Sequence, residues 1–170
     1  MGGELQRSLD ESAGRESEAT AVRPYAPADR AASAALLGDA RPLDAPRSHA
    51  HLAGAGAVDS LALWLEPPAG VAEAYLGPVI TPAPPKAGAF YELVLACAND
   101  ASERGYERGY FTIKDAGLLR LLKRTFRIDP VATGWEPEGG SPSEWEVHVD
   151  LRDAVAQLHS VIQRLREASV

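Results

Sequence analysis

An α/β fold, a mixed central sheet flanked by helices, is what this sequence predicts, and three observations carry the prediction. Strand-like and helix-like runs alternate along most of the chain. Residues 90–101 and 151–165 place apolar side chains three and four apart, the spacing of one helix face. GVAEAYLG (70–77) and WEVHV (145–149) alternate at period two, as strands in a half-buried sheet do.

At 170 residues and 45% apolar composition the chain can build one domain with a real core. Residues 1–19 carry five acidic and two arginine side chains and little that packs, so a disordered polar leader is expected there and a single domain over 20–170. TAVRPYA (20–26) reads as a short strand. Pro27 suits the start of a helix over 27–38, because its missing amide costs nothing there, and Gly38 is its stop.

Residues 39–59 read as a loop, of a composition found over substrate clefts and in plain connections alike, with a short helix near His49–Leu52. SLALWLEP (60–67) is a strand. In 70–77, Val71, Glu73 and Tyr75 share one face, and Ala72, Ala74 and Leu76 the other. PVIT (78–81) follows directly, either as a second strand beyond a bend at Gly77 and Pro78 or as the kinked continuation of the first.

Phe90, Leu93, Val94, Cys97, Ala98 and Ala101 form the inner face of the next helix, which Gly105 ends. Cys97 sits on that stripe and reads as a core thiol. YERGYFTI (106–113) supplies a strand from Gly109 or Tyr110 onward, with Tyr110 at its core or rim, and Asp115 caps the following helix. Leu118, Leu119, Leu121 and Leu122 are expected to pack inward, with Arg120, Lys123, Arg124 and Arg127 as a basic flank. Two strands then surround an acidic turn at 136–143, with Trp135 and Trp145 paired across the hairpin. Trp145, Val147 and Val149 face one way, Glu146 and His148 the other. Asp150 caps a helix whose stripe is Leu151, Val155, Leu158, Ile162 and Leu165.

Composition excludes several functions. Net charge is −7, from 24 acidic and 17 basic residues, which disfavours a general nucleic-acid role. A lone cysteine, Cys97, permits neither an intrachain disulfide nor a cysteine-built metal site. His49, His51, His148 and His159 show no metal-ligand spacing, and one helical turn would not bring His49 and His51 to a common face; surface histidines and no metal are expected. No apolar run is long enough to span a membrane, and no secretory signal opens the chain, so a cytoplasmic protein is expected.

From Ala21 to about Leu151 the order of elements resembles the GCN5-related N-acetyltransferase (GNAT) family, with AVRPYAPADRAASAALL similar to its first strand and helix. In that family the fourth strand ends in a Gln/Arg-x-x-Gly-x-Gly/Ala loop, whose amides hold the pyrophosphate of acetyl-CoA at the mouth of the next helix. Counting back from Gly105-Tyr106 sets Gly88 on the middle glycine, Pro85 on the Gln/Arg and Phe90 on the last small residue. A tyrosine that acts as general acid in the family's next helix is matched by Leu121, five residues before Phe126, with Thr125 where the family has glycine.

The resemblance implies a GNAT-like acyl-CoA N-acyltransferase fold. It further implies transfer of an acetyl or other acyl group from CoA to a small-molecule or peptide amine. Lys86, Ala87, Gly88, Ala89, Phe90 and Tyr91 would bind the cofactor: the amides of 87–91 would seat its pyrophosphate and Lys86 would add a point charge. A backbone amide near Val79–Thr81 would polarise the thioester carbonyl. Glu73 and Tyr75 are the candidates for general base, weighed against a solvent-facing carboxylate and a sheet aromatic. The rival reading is a catalytically inactive module of the same architecture that binds no CoA. The basic flank over 118–127 and the final amphipathic helix would serve a homodimer or another partner.

Overall fold

The structure, a computed structural model, describes residues 21–82 and 87–169. The leader expected over 1–19 and the candidate Lys86 lie outside the described residues. Seven strands form one sheet: β1 (Arg23–Pro24), β2 (Ser48–Ala53), β3 (Ser60–Leu65), β4 (Glu73–Ile80), β5 (Arg108–Ile113), β6 (Val131–Trp135) and β7 (Pro142–Asp150). The helices are α1 (Arg30–Leu37), α2 (Arg41–Asp44), α3 (Ala87–Glu103), α4 (Ala116–Thr125) and α5 (Leu151–Ala168). Spatial order is β1-β2-β3-β4-β5-β7-β6, antiparallel throughout except for the parallel pair β4–β5. A parallel pair needs a crossover, and α3 provides it.

One face of the sheet carries the main core. Ala62, Trp64, Ala74 and Leu76 from the strands meet Leu93, Cys97, Ala98 and Ala101 of α3 and Leu151, Leu158, Val161 and Ile162 of α5. Each fully buried leucine here contributes about 1.5–3 kcal/mol. A smaller cluster on the same sheet face joins Ile113 and Val147 to Leu119 and Leu122 of α4. On the opposite face Tyr25, Leu36, Leu37 and Leu43 cover Leu52, Leu61 and Leu63, which places α1 and α2 over β2 and β3. The helix stripes and both predicted caps hold: Leu118 N–H donates to Asp115 Oδ1 at 2.6 Å, and Asp153 N–H to Asp150 Oδ1 at 3.0 Å. Gly38 closes α1 in the left-handed region at φ 71°.

Three expectations are corrected, and one open alternative is decided. The segment 39–59 is not a loop with a helix at His49–Leu52; it holds α2 and then β2, fully paired with β3. SHAHLA alternates between two covered faces, Leu52 against α1 and α2, and His51 and Ala53 toward α3. Of the two alternatives left open for 70–81, the single strand holds: residues 73–80 are one strand. Its extra residue lies on the β4 side at Gly77–Pro78, where Val79 to Leu76 spans the step from Ala62 to Trp64. Leu121 is 49% exposed, because Leu118, Leu119, Leu122 and Phe126 converge on one side of α4 and Leu121 projects about a third of a turn away from them. Trp135 and Trp145 do not pair: Trp135 lies opposite Pro142 and is 56% exposed, whereas Trp145 lies opposite Ala132.

Candidate functional site between β4, β5 and β7

β4 and β5 pair only at Glu73↔Arg108, Ala74↔Gly109 and Tyr75↔Tyr110, although β4 continues to Ile80 and β5 to Ile113. Beyond Tyr75 the two strands diverge, leaving main-chain donors and acceptors of both without a strand partner on the facing edge. The helix that follows β4 opens at Ala87.

Beside this opening, the side chains that period two sends away from the α3–α5 core gather on one face. Glu73 comes from β4, Arg108 and Tyr110 from β5, and Glu146 and His148 from β7; none belongs to a hydrophobic cluster. Arg108 Nε donates to Glu73 Oε1 at 2.8 Å, and Glu73 Oε2 meets His148 Nδ1. His148 Nε2 lies 2.6 Å from Glu146 Oε1. The imidazole therefore bridges two carboxylates, and it stacks on Tyr110 with ring centroids 5.8 Å apart. Tyr75 tilts against Tyr110 at 5.2 Å, its hydroxyl 3.4 Å from Thr112 Oγ1.

The electrostatics follow from these contacts. Partial burial opposes the imidazolium of His148, but the hydrogen bonds to Glu73 and Glu146 outweigh it and raise its pKa above the ordinary histidine value. For Glu73 partial burial likewise opposes charge, and Arg108 and His148 outweigh it, holding the carboxyl below the usual carboxylate range. An open hollow of about 270 Å³ adjoins Glu73, walled by Leu65, Pro67, Pro68, Val71, Tyr75 and Tyr110.

The expected cofactor-binding residues that are described sit in the first turns of α3. A helix opening at Ala87 leaves the amides of residues 87–89 without intrahelical acceptors, whereas those of Phe90 and Tyr91 enter the ladder. Phe90 packs against the main core and edge-on to Tyr91 at 5.4 Å, so its ring is held inward. Tyr91 is 5% exposed, its ring 5.8 Å from Phe126. Ala89 is buried. The described part of this donor set fits an anionic group: free amides on small residues, with both aromatic rings turned inward.

Glu73 and Tyr75, the sequence-level candidates, thus share one face and border one hollow. Sequence reasoning left out His148, Glu146 and Arg108. The signal for the first two was the polar side of WEVHV, but nothing in a single chain ties that strand to residue 73. His49 and His51 are not plain surface histidines either: a strand puts them on one face, where His49 Nε2 meets Glu66 Oε1 at 2.7 Å and His51 is buried. Among the described residues no group of three or more His, Cys, Asp or Glu side chains could hold a metal ion, and no helix is long and apolar enough to cross a membrane.

No protein-family model matches the sequence, and no curated protein does. Solved structures match the fold. A GNAT-family protein from Desulfovibrio desulfuricans superposes with a TM-score of 0.63 at 15% identity, over 78% of this chain and 99% of the other. The ribosomal-protein-S18-alanine N-acetyltransferase of Escherichia coli gives 0.60 at 9% identity, over 78% and 94%. A Bacillus subtilis acetyltransferase in complex with CoA gives 0.54 at 14% identity, over 77% and 98%. The likeness covers about four fifths of this chain and nearly all of each of the others: this chain has the acyl-CoA N-acyltransferase fold of the GNAT superfamily.

Proposed function

We propose that the protein is an N-acyltransferase that moves an acetyl or other acyl group from CoA to an amine. The observation that carries this reading is the divergence of β4 and β5 directly beside the Glu73–His148–Glu146 chain. CoA, when bound, supplies the activated acyl thioester. The free amides of residues 87–89 receive its diphosphate with Lys86 as a nearby charge, and unpaired main-chain groups of β4 beyond Tyr75 hold the extended part. A main-chain amide in Val79–Thr81 polarises the carbonyl; Pro78 has none to offer.

His148 is the general base of this proposal and Glu73 the group that positions it. Both Glu73 oxygens and both imidazole nitrogens are engaged. The contacts that hold the Glu73 carboxyl down raise the proton affinity of His148, so the deprotonated imidazole is the stronger base of the two. With Nδ1–H donating to Glu73, Nε2 takes the amine's proton once Glu146 yields its place to the amine or to a bridging water. The nitrogen–carbon bond forms, the carbon–sulfur bond breaks, and its electron pair leaves on sulfur. Tyr75 keeps its place as a wall of the hollow and as the second base candidate.

Calorimetric titration with acetyl-CoA tests the reading. Saturable binding is expected for the parent and its loss for Gly88→Trp, whose ring would fill the approach to the free amides. A second reading, a GNAT-fold module without CoA binding, draws on Leu121, which is exposed and moves no proton where the family's acid stands. Equal absence of binding in parent and variant would favour it. Partner contacts through the basic flank of α4 belong to the same proposal, with mass against concentration as their measurement.

A further inference from the structure

We infer that the acceptor is a primary amine on a compact apolar body, an arylalkyl or short alkyl amine without an anionic group; the inference rests on the acyl-transfer reading. The hollow's size limits the body. About 270 Å³ holds roughly nine water-sized groups at about 30 Å³ each, the scale of phenethylamine rather than of a folded peptide segment. Its walls set the chemistry: Leu65, Pro67, Pro68 and Val71 offer only carbon, and Tyr75 and Tyr110 present ring faces 5.2 Å apart at 56°.

Charge decides the rest. The acidic side chains lining the hollow are the carboxylates Glu66 and Glu73. Among the described residues no lysine or arginine lines it, and the guanidinium groups nearest to it already face oxygens. Arg108 donates to Glu73 Oε1, Arg47 to the Pro67 carbonyl at 3.1 Å, and Arg104 lies 3.7 Å from Glu66 Oε1. An ammonium head is favoured by Glu73 and by the tyrosine rings, which attract cations through their π faces. An acceptor carboxylate or phosphate would face Glu73 and Glu146 with no cation in the lining to answer it. A polyhydroxylated amine would leave its hydroxyls against prolines and aliphatic carbon, unsatisfied. The head group then lies toward Glu73, next to the imidazole that takes its proton.

The experiment uses the full chain. Release of free CoA thiol from acetyl-CoA is followed with phenethylamine, phenylalanine and glucosamine as acceptors, alongside calorimetric binding of phenethylamine without cofactor. Expected is a kcat/KM for phenethylamine at least tenfold above that for phenylalanine, which differs from it by one carboxylate, and above that for glucosamine. Val71→Arg, a rim substitution at a half-exposed position, should narrow the phenethylamine preference several-fold by supplying the missing cation. Acetyl-CoA binding with phenylalanine or glucosamine turned over as well as phenethylamine would overturn the inference and leave the acyl-transfer reading standing. If acetyl-CoA does not bind, the acyl-transfer reading falls and the acceptor inference falls with it. If acetyl-CoA binds, phenethylamine should also bind saturably, with Tyr110→Ala abolishing it, and no phenethylamine binding to the parent overturns the inference alone.

Discussion

Trp64 and Asp100 join the middle of the sheet to the far half of α3, and the strength of that link can be worked out. Trp64 is fully buried, and its Nε1–H donates to Asp100 Oδ2 at 2.9 Å. Asp100 also accepts from Arg104 Nε at 3.0 Å. Trp64→Phe removes a hydrogen bond to a charged acceptor, a loss of about 1.5–3 kcal/mol. It also removes part of the contact made by Tyr106 edge-on at 5.9 Å and by His49, stacked at 4.4 Å. Taking about 2 kcal/mol for the hydrogen bond, and about 2–4 °C per kcal/mol for a domain of this size, the melting temperature falls by about 4–8 °C.

Asp100→Asn keeps an acceptor but discards its charge, so it should cost less than Trp64→Phe. The pair is read by urea unfolding of both single variants and the double variant, with a coupling energy of about 1 kcal/mol or more expected. Strict additivity of the two substitutions would refute the claim that this bond ties α3 to β3.

His148→Gln should lower kcat by about 10²–10⁴-fold while leaving acetyl-CoA binding by calorimetry unchanged. In the parent, kcat/KM should rise with pH as His148 loses its proton above the ordinary histidine value, and Glu73→Gln should move that limb to lower pH. Stability should also depend on pH through His51, whose pKa is lowered first by burial, against the pull of Asp100. A lowered folded value means that the unfolded chain binds the proton more readily. The contribution is therefore complete above the unfolded value of about 6.5 and is lost as pH falls toward the folded value, which chemical melts at pH 7.5 and 5.5 would show. Gly109→Ala should destabilise by about 1–3 kcal/mol through overpacking, because its new Cβ would sit 3.1 Å from both Leu76 Cδ1 and Leu151 Cδ2; urea melts check it.

The elements legible from sequence were those whose signal is local. The stripes of α3 and α5, the Asp115 and Asp150 caps and the two sides of WEVHV each rest on neighbours within one element. β2 was obscured because its alternation runs between two covered faces and two of its inward residues are histidines, which composition reads as polar. Leu121 was misplaced because four leucines in five positions cannot all share a face spanning about a third of the helix. The Trp135–Trp145 pair failed because the β6–β7 register shifts near Gly134. The site itself needed topology: Glu73 and His148 stand 75 positions apart and meet only because β5 enters between their strands. Period two could say that each faced away from the core, and no more.

The packing of α5 along α3 also sets an order of events during synthesis. Arg166 clasps Glu92 at 2.9 Å across 74 positions of chain, and Leu158, Val161 and Ile162 roof the same helix. A nascent chain halted before residue 151 would leave bare the oily flank of α3 that α5 covers. The apolar side of α3 that faces α5 would thus be closed late in translation, when α5 docks as a keystone.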